Sequence, residues 1–175
     1  MSRISQKQKK MKLQNSNILR NGDVLHCTRN SFMSKAIRYF TVSKISHTAL
    51  VLKIYGNVFI VDSQADGTRI RTFEDWNSKY GYDIIITRGE KISEEDLIDS
   101  IKPYLNSMYG YWDIFKHIIR TRFGVWIGSK REGKNLICSE FVLRVFGNKD
   151  AYKSDPEDAY IWFLENDFNV VKDGE

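Results

Sequence analysis

A thiol becomes a catalytic nucleophile when a base lies within hydrogen-bond reach and a third group orients that base. Cys138 is the cysteine best placed for this. Phe141, Val142, Val145 and Phe146 follow it at the spacing of one buried helical face. Gly147 supplies the left-handed residue that commonly stops such a helix. Cys138 therefore falls in a first turn, where unpaired backbone N–H groups and the helix dipole favour negative charge. The thiolate is the form that attacks. Taken alone, Cys138 reads as a small buried apolar residue, as most free cysteines do. A histidine far upstream changes that weighting.

The chain has three histidines. His26 adjoins Cys27 on a short strand, so the two side chains should point to opposite faces. His117 sits among Phe115, Ile118 and Ile119 with no polar neighbour in sequence. His47 opens a β-rich run, His47 to Ile54, and Val58 to Asp62 forms a second across Tyr55-Gly56-Asn57. Two such runs joined by a short Gly/Asn connection make a hairpin. Its two ends return together, leaving His47 and Asp62 neighbours. A carboxylate there would fix the imidazole tautomer and support the imidazolium formed during reaction. Singly, His47 is an ordinary half-buried strand residue and Asp62 a strand-ending turn residue; the pair at opposed positions is harder to dismiss.

The elements that must position these groups follow from local pattern. Asn21-Gly22-Asp23 is a turn leading into a strand from Val24 to Thr28. Phe32, Ala36, Ile37 and Phe40 predict a short helix over Ser31 to Phe40. Asp66-Gly67 is a second turn, with a strand from Arg69 to Phe73 after it. Asp83 to Thr87 reads as a further strand, rich enough in isoleucine to lie inside the sheet. Ser93-Glu94-Glu95-Asp96 opens a helix carrying Leu97, Ile98, Ile101 and Leu105, kinked or restarted at Pro103 and ending near Tyr109 to Trp112. Asp113 to Ile119 reads as another helical turn or two, and Arg120 to Lys134 as a basic surface loop. Asp155-Pro156-Glu157-Asp158 begins a last helix carrying Ala159, Ile161, Trp162, Phe163 and Leu164. The sum is α+β, an antiparallel sheet with helices packed against it.

Composition narrows the function classes. A chain of 175 residues with 42% hydrophobic and 13% aromatic residues has the size and apolar content of one folded domain. Residues 1–17 read as a basic, flexible arm and 18–175 as a single domain. The arm carries Arg3, Lys7, Lys9, Lys10 and Lys12 without an acid and reads as a solvated terminus. Nucleic acid is not the expected partner, for there is no zinc-finger spacing, no RRM signature and no regularly basic helix. Two cysteines make no disulfide framework. No apolar run has signal-peptide or membrane-spanning length, which leads to the expectation of a cytoplasmic protein. A metal site from His26, Cys27, His47 and Cys138 would offer zinc a Cys₂His₂ set. It lacks the short ligand spacings of structural sites, so neither metal nor cofactor is expected.

The motifs together resemble the circularly permuted branch of the NlpC/P60 papain-like superfamily, which includes YiiX/YebB-like proteins and is related to lecithin:retinol acyltransferase. The resemblance rests on Asn21-Gly22-Asp23-Val24, Ser46-His47-Thr48-Ala49-Leu50-Val51, Val61-Asp62-Ser63, Tyr109-Gly110-Tyr111-Trp112-Asp113 and Ile137-Cys138-Ser139-Glu140-Phe141-Val142. It spans about Asn21 to Leu164. It implies an antiparallel sheet or partial barrel against helices, with the histidine strands ahead of the cysteine helix. It also implies Cys138 as nucleophile, His47 as base and Asp62 as orienting acid, where many members carry glutamate. The Cys138 backbone N–H is then the natural oxyanion donor, and Tyr111 a weaker candidate for a second. The implied activity is that of a cysteine peptidase or amidase acting through a thioester on a small peptide of cell-wall type. A thiol-dependent acyltransferase or lipid amidase is the alternative enzyme, and a non-catalytic binding module on the same fold the alternative class.

Overall fold

A computed structural model of the chain describes residues 16–28, 43–80, 84–110 and 135–171. The basic arm up to residue 15, the helix expected over Ser31 to Phe40, and the segment 111–134 with Tyr111 and His117 lie outside the described residues.

The two hairpin runs and the strands around them form one antiparallel sheet. It comprises β1 (Val24–Cys27), β2 (His47–Ile54), β3 (Asn57–Gln64), β4 (Gly67–Thr72), β5 (Ile84–Arg88) and a short β8 (Asn169–Val170). The order is β4-β3-β2-β1-β5-β8 with every neighbouring pair antiparallel. β4 and β8 are its two edges, so the sheet is open and does not close into a barrel. β6 (Met108–Tyr109) and β7 (Asn135–Leu136) pair in parallel beside it. Four α-helices are described: α1 (Phe73–Tyr80), α2 (Glu94–Ile101), α3 (Cys138–Val145) and α4 (Pro156–Glu165). None is long and apolar enough to cross a membrane. The α+β class expected from the pattern is the one observed.

Strand alternation divides the core in two. Leu25, Cys27, Ala49, Val51, Ile60, Ile84 and Ile86 face one way and pack on Phe73 and Trp76 of α1. Val24, Leu50, Leu52 and Val61 face the other way, against Leu97 and Ile101 of α2, Phe141, Val142 and Leu143 of α3, and Ala159 and Phe163 of α4. Both faces of the central strands are covered, so β2 and β5 read as nearly unbroken apolar runs rather than as alternating ones. β5 lies inside the sheet but next to its edge strand, which the isoleucine content alone could not distinguish.

Several elements differ from the pattern-based expectation. The β2–β3 turn has two residues, Tyr55 and Gly56 with φ of 47° and 84°. Both are positive, as the right-handed twist of a two-residue hairpin favours, and Asn57 already pairs with Ile54 in β3. β3 runs on past Asp62 to Gln64. Phe73 opens helix α1 instead of closing a strand, with the Asp75 N–H donating to Thr72 Oγ1 at 3.2 Å. α2 stops at Ile101, well before Tyr109, because Pro103 falls in the following 3-10 turn and cannot supply the next helical N–H.

His26 lies on the sheet face covered by α4, its ring centroid 5.0 Å from that of Tyr160 and 5.9 Å from that of Phe163. Its Nε2 is 2.9 Å from Thr87 Oγ1. Burial pushes this imidazole from 6.5 down to about 3. Between those values the unfolded chain takes up a proton that the folded protein refuses, so His26 makes stability fall as pH falls from 6.5 towards 3. Asp155, the N-cap of α4, is pushed up to about 6 by burial and by Asp158, and it acts in the opposite sense below that pH. Urea unfolding of the wild type and of His26→Gln isolates the histidine. The difference between their pH profiles should slope by at most about 1.4 kcal/mol per pH unit across this window.

Candidate active site

Cys138 is the first residue of α3. Ile137 stands at the N-cap and has no side-chain acceptor to offer. α2 and α4, by contrast, are closed by Ser93 and Asp155, each accepting from first-turn N–H groups. The N-cap of α3 therefore offers no side-chain acceptor to the first-turn N–H groups beside the sulfur. The helix start is pinned from two sides. Ser63 Oγ of β3 donates to the Leu136 carbonyl at 2.7 Å, and Ser139 Oγ donates to the Ser154 carbonyl at 2.8 Å. At the other end Gly147 (φ 79°) donates to Arg144 O and Asn148 to Leu143 O, a Schellman closure.

The hairpin register carries His47 and Asp62 to one end of the sheet on the same face. Nε2 of His47 lies 2.8 Å from Asp62 Oδ2. Cys138 acts on the same ring, favouring its protonated form. The imidazole thus interacts with both side chains. Cys138, His47 and Asp62 are only 4%, 7% and 0% exposed, so the chain of contacts is shielded from water.

Burial opposes charge on His47, but the influence of Cys138 and Asp62 outweighs it and pushes the imidazole up to about 10. Burial likewise opposes charge on Asp62. The bond to His47, with help from Gln64 and Arg71, still holds the carboxyl below its ordinary value. The arrangement is an imidazolium–carboxylate pair with the Cys138 side chain beside the ring.

Three further side chains complete the site, none of them evident from the cysteine and histidine pattern. Asp62 Oδ2 also accepts from Gln64 Nε2 at 2.7 Å and from Trp76 Nε1 of α1 at 3.0 Å, and Oδ1 accepts from Arg71 Nε at 3.0 Å. A signal for each was present in the sequence. Gln64 is two residues on from Asp62 and so shares its face. The turn before Gly67 sets Arg71 diagonal to Asp62. Thr72 followed by Glu74 and Asp75 is a helix start that would have placed Trp76.

His26 and Cys27 separate as strand alternation requires. His26 turns toward α4. Cys27 pairs with His47 across β1 and β2 and lies on the face of the site. Burial first, then the charges of Asp62 and Cys138, push the Cys27 thiol up. Tyr111 lies outside the described residues.

Comparison with solved structures finds a similar fold in the metalloprotein YiiX from Escherichia coli O157:H7 (DUF1105). The TM-score is 0.54 at 16% identity, covering 87% of this chain and 96% of that one. At that identity the likeness is one of fold. No protein-family model and no curated protein matches the chain. A metal would need several donors turned to one point. Among the described residues no group of three or more His, Cys, Asp and Glu side chains could hold an ion. His26 faces the opposite side of the sheet, and Nε2 of His47 is already engaged by Asp62.

The raised imidazole has a measurable sign. Between pH 6.5 and about 10 the folded protein keeps a proton on His47 that the unfolded chain releases. Its stabilising contribution is complete below pH 6.5 and is lost as pH rises through about 10. Cys138→Ala removes the leading favourable influence, so NMR titration of the His47 ring in that variant should show a midpoint moved down toward 6.5. A midpoint unchanged by the substitution would mean that sulfur and imidazole are not in contact.

Proposed function

We propose that the protein is a papain-type cysteine hydrolase of the permuted NlpC/P60 kind, cleaving an amide of a small peptide or acyl-amide substrate. One observation carries this reading: a single buried imidazole is held by the Asp62 carboxylate at 2.8 Å and interacts with the Cys138 side chain. That is the geometry a thiol nucleophile needs from its base and from the base's orienting group. The likeness in fold to YiiX is consistent with the permuted order of histidine strands before cysteine helix.

The chemistry follows from the charges. The Cys138 thiolate attacks the substrate carbonyl carbon, and the oxyanion that forms sits by the first turn of α3, where the helix dipole favours it. His47, as imidazolium, gives its Nδ1 proton to the leaving nitrogen as the C–N bond breaks, and a thioester remains on Cys138. The neutral imidazole then takes a proton from water as the water attacks the thioester. The acid leaves, and thiolate and imidazolium are restored. Asp62 stays anionic throughout and keeps the ring turned the right way.

Iodoacetamide at neutral pH should label Cys138 well ahead of Cys27, which is fully buried and whose thiol is pushed up. On chromogenic p-nitrophenyl ester and p-nitroanilide substrates, Cys138→Ala and His47→Ala should each lose about 10³-fold or more in kcat, since triad members act as a unit. Turnover retained in a folded Cys138→Ala protein, or equal slow labelling of both cysteines, would overturn the proposal.

A further inference from the structure

The orienting acid is held by more than the histidine. Asp62 is fully buried, and all four of its hydrogen bonds are accepted from side chains on different parts of the fold. Three of them crowd onto Oδ2, and Arg71 takes Oδ1. Arg69 is the residue directly opposite Asp62 in the β3–β4 register, yet its Nε turns out to the Asp66 carbonyl at 2.8 Å. Arg71, opposite Ile60, reaches Asp62 along the diagonal, a distance that a long side chain can span. Its two terminal nitrogens then clamp Asp66, Nη2 to Oδ1 at 2.6 Å and Nη1 to Oδ2 at 3.2 Å.

We propose that Arg71 is a positioning residue for the His47–Asp62 pair: by occupying Oδ1 from an anchor on Asp66, it keeps the carboxylate anionic and in one orientation, with Oδ2 on the imidazole. The proposal rests on the hydrolase reading for its purpose but not for its geometry. Without Arg71, Oδ1 would be a buried charged oxygen lacking a partner. The carboxylate could escape only by rotating or by taking up a proton, and either change loosens its bond to His47.

The alternative is that Arg71 acts merely as a nearby positive charge. Among the described residues, the charged and titratable groups facing the pair are Cys138 from α3, Cys27 from β1 and Arg71 from β4, while Arg69 turns out to Asp66. A bare cation repels an imidazolium, so removing it would make His47 hold its proton more tightly. Removing a clamp on Asp62 would make His47 hold it less tightly. The two roles predict opposite signs.

The experiment is ¹⁵N NMR titration of the histidine rings in the full chain, from pH 6 to 11, for wild type, Arg71→Gln and Arg71→Lys. His26, which stays neutral over this range, serves as an internal reference. In Arg71→Gln the His47 midpoint should fall by about one pH unit or more from its wild-type value. Arg71→Lys keeps the charge without the fork that serves both acids, and should fall by less. A His47 midpoint unmoved or raised in folded Arg71→Gln overturns the proposal. If that variant does not fold, an unmoved or raised midpoint in Arg71→Lys does the same. Ester turnover is measured on the same samples. Loss of Cys138-dependent turnover in the wild type would defeat the hydrolase reading and leave the titration result standing. Normal turnover with an unmoved midpoint would defeat only the role of Arg71.

Discussion

A carboxylate sealed from water is the constraint around which this structure is arranged. An ionised acid in a protein interior costs several kcal/mol unless its lone pairs are occupied. Asp62 meets that requirement with donors from β2, β3, β4 and α1. Removing the oppositely charged partner of a buried ion typically costs about 3–5 kcal/mol. The acid thus ties two hairpins and a helix into one register while it orients the histidine.

The sheet makes this possible because it is buried on both faces and used differently on each. One face carries Val24, Leu50, Leu52 and Val61 into a wide apolar contact with α2, α3 and α4. The other carries Cys27, His47 and Asp62 at the end where β2 begins and β3 finishes, beneath Trp76. α3 packs along β2 and β3, and its N-terminus is stitched to β3 through Ser63 and the Leu136 carbonyl. The sulfur is therefore held against the imidazole by packing that is mostly apolar and remote from the chemistry. Such rigid support fixes where the sulfur lies relative to the ring.

Much of the fold was legible because the informative signals were local. The hairpin connection around Gly56, read one residue too long, the Asp155-Pro156 helix start and Gly147 after α3 each depend on a few adjacent residues. Misreadings arose where two local signals competed. Phe73 fitted both the end of a strand and the first turn of a helix, and Thr72 with its acids decided for the helix. The pattern of α2 ran on through Leu105, but Pro103 ended the α-helical hydrogen bonds before it. β8, two residues long, carried no periodicity to detect.

The sequence by itself determined the kinds of groups available and the hairpin that brings His47 and Asp62 together, because strand pairing across a tight turn is a short-range consequence of residue type. It also determined that Cys138 begins a helix with an apolar face. Only the tertiary structure decided that this helix end meets that hairpin end, and that Trp76, Gln64 and Arg71 converge on one carboxylate. Those contacts join residues far apart in the chain through the packing of separate elements, and no local pattern encodes the relative placement of two packed surfaces.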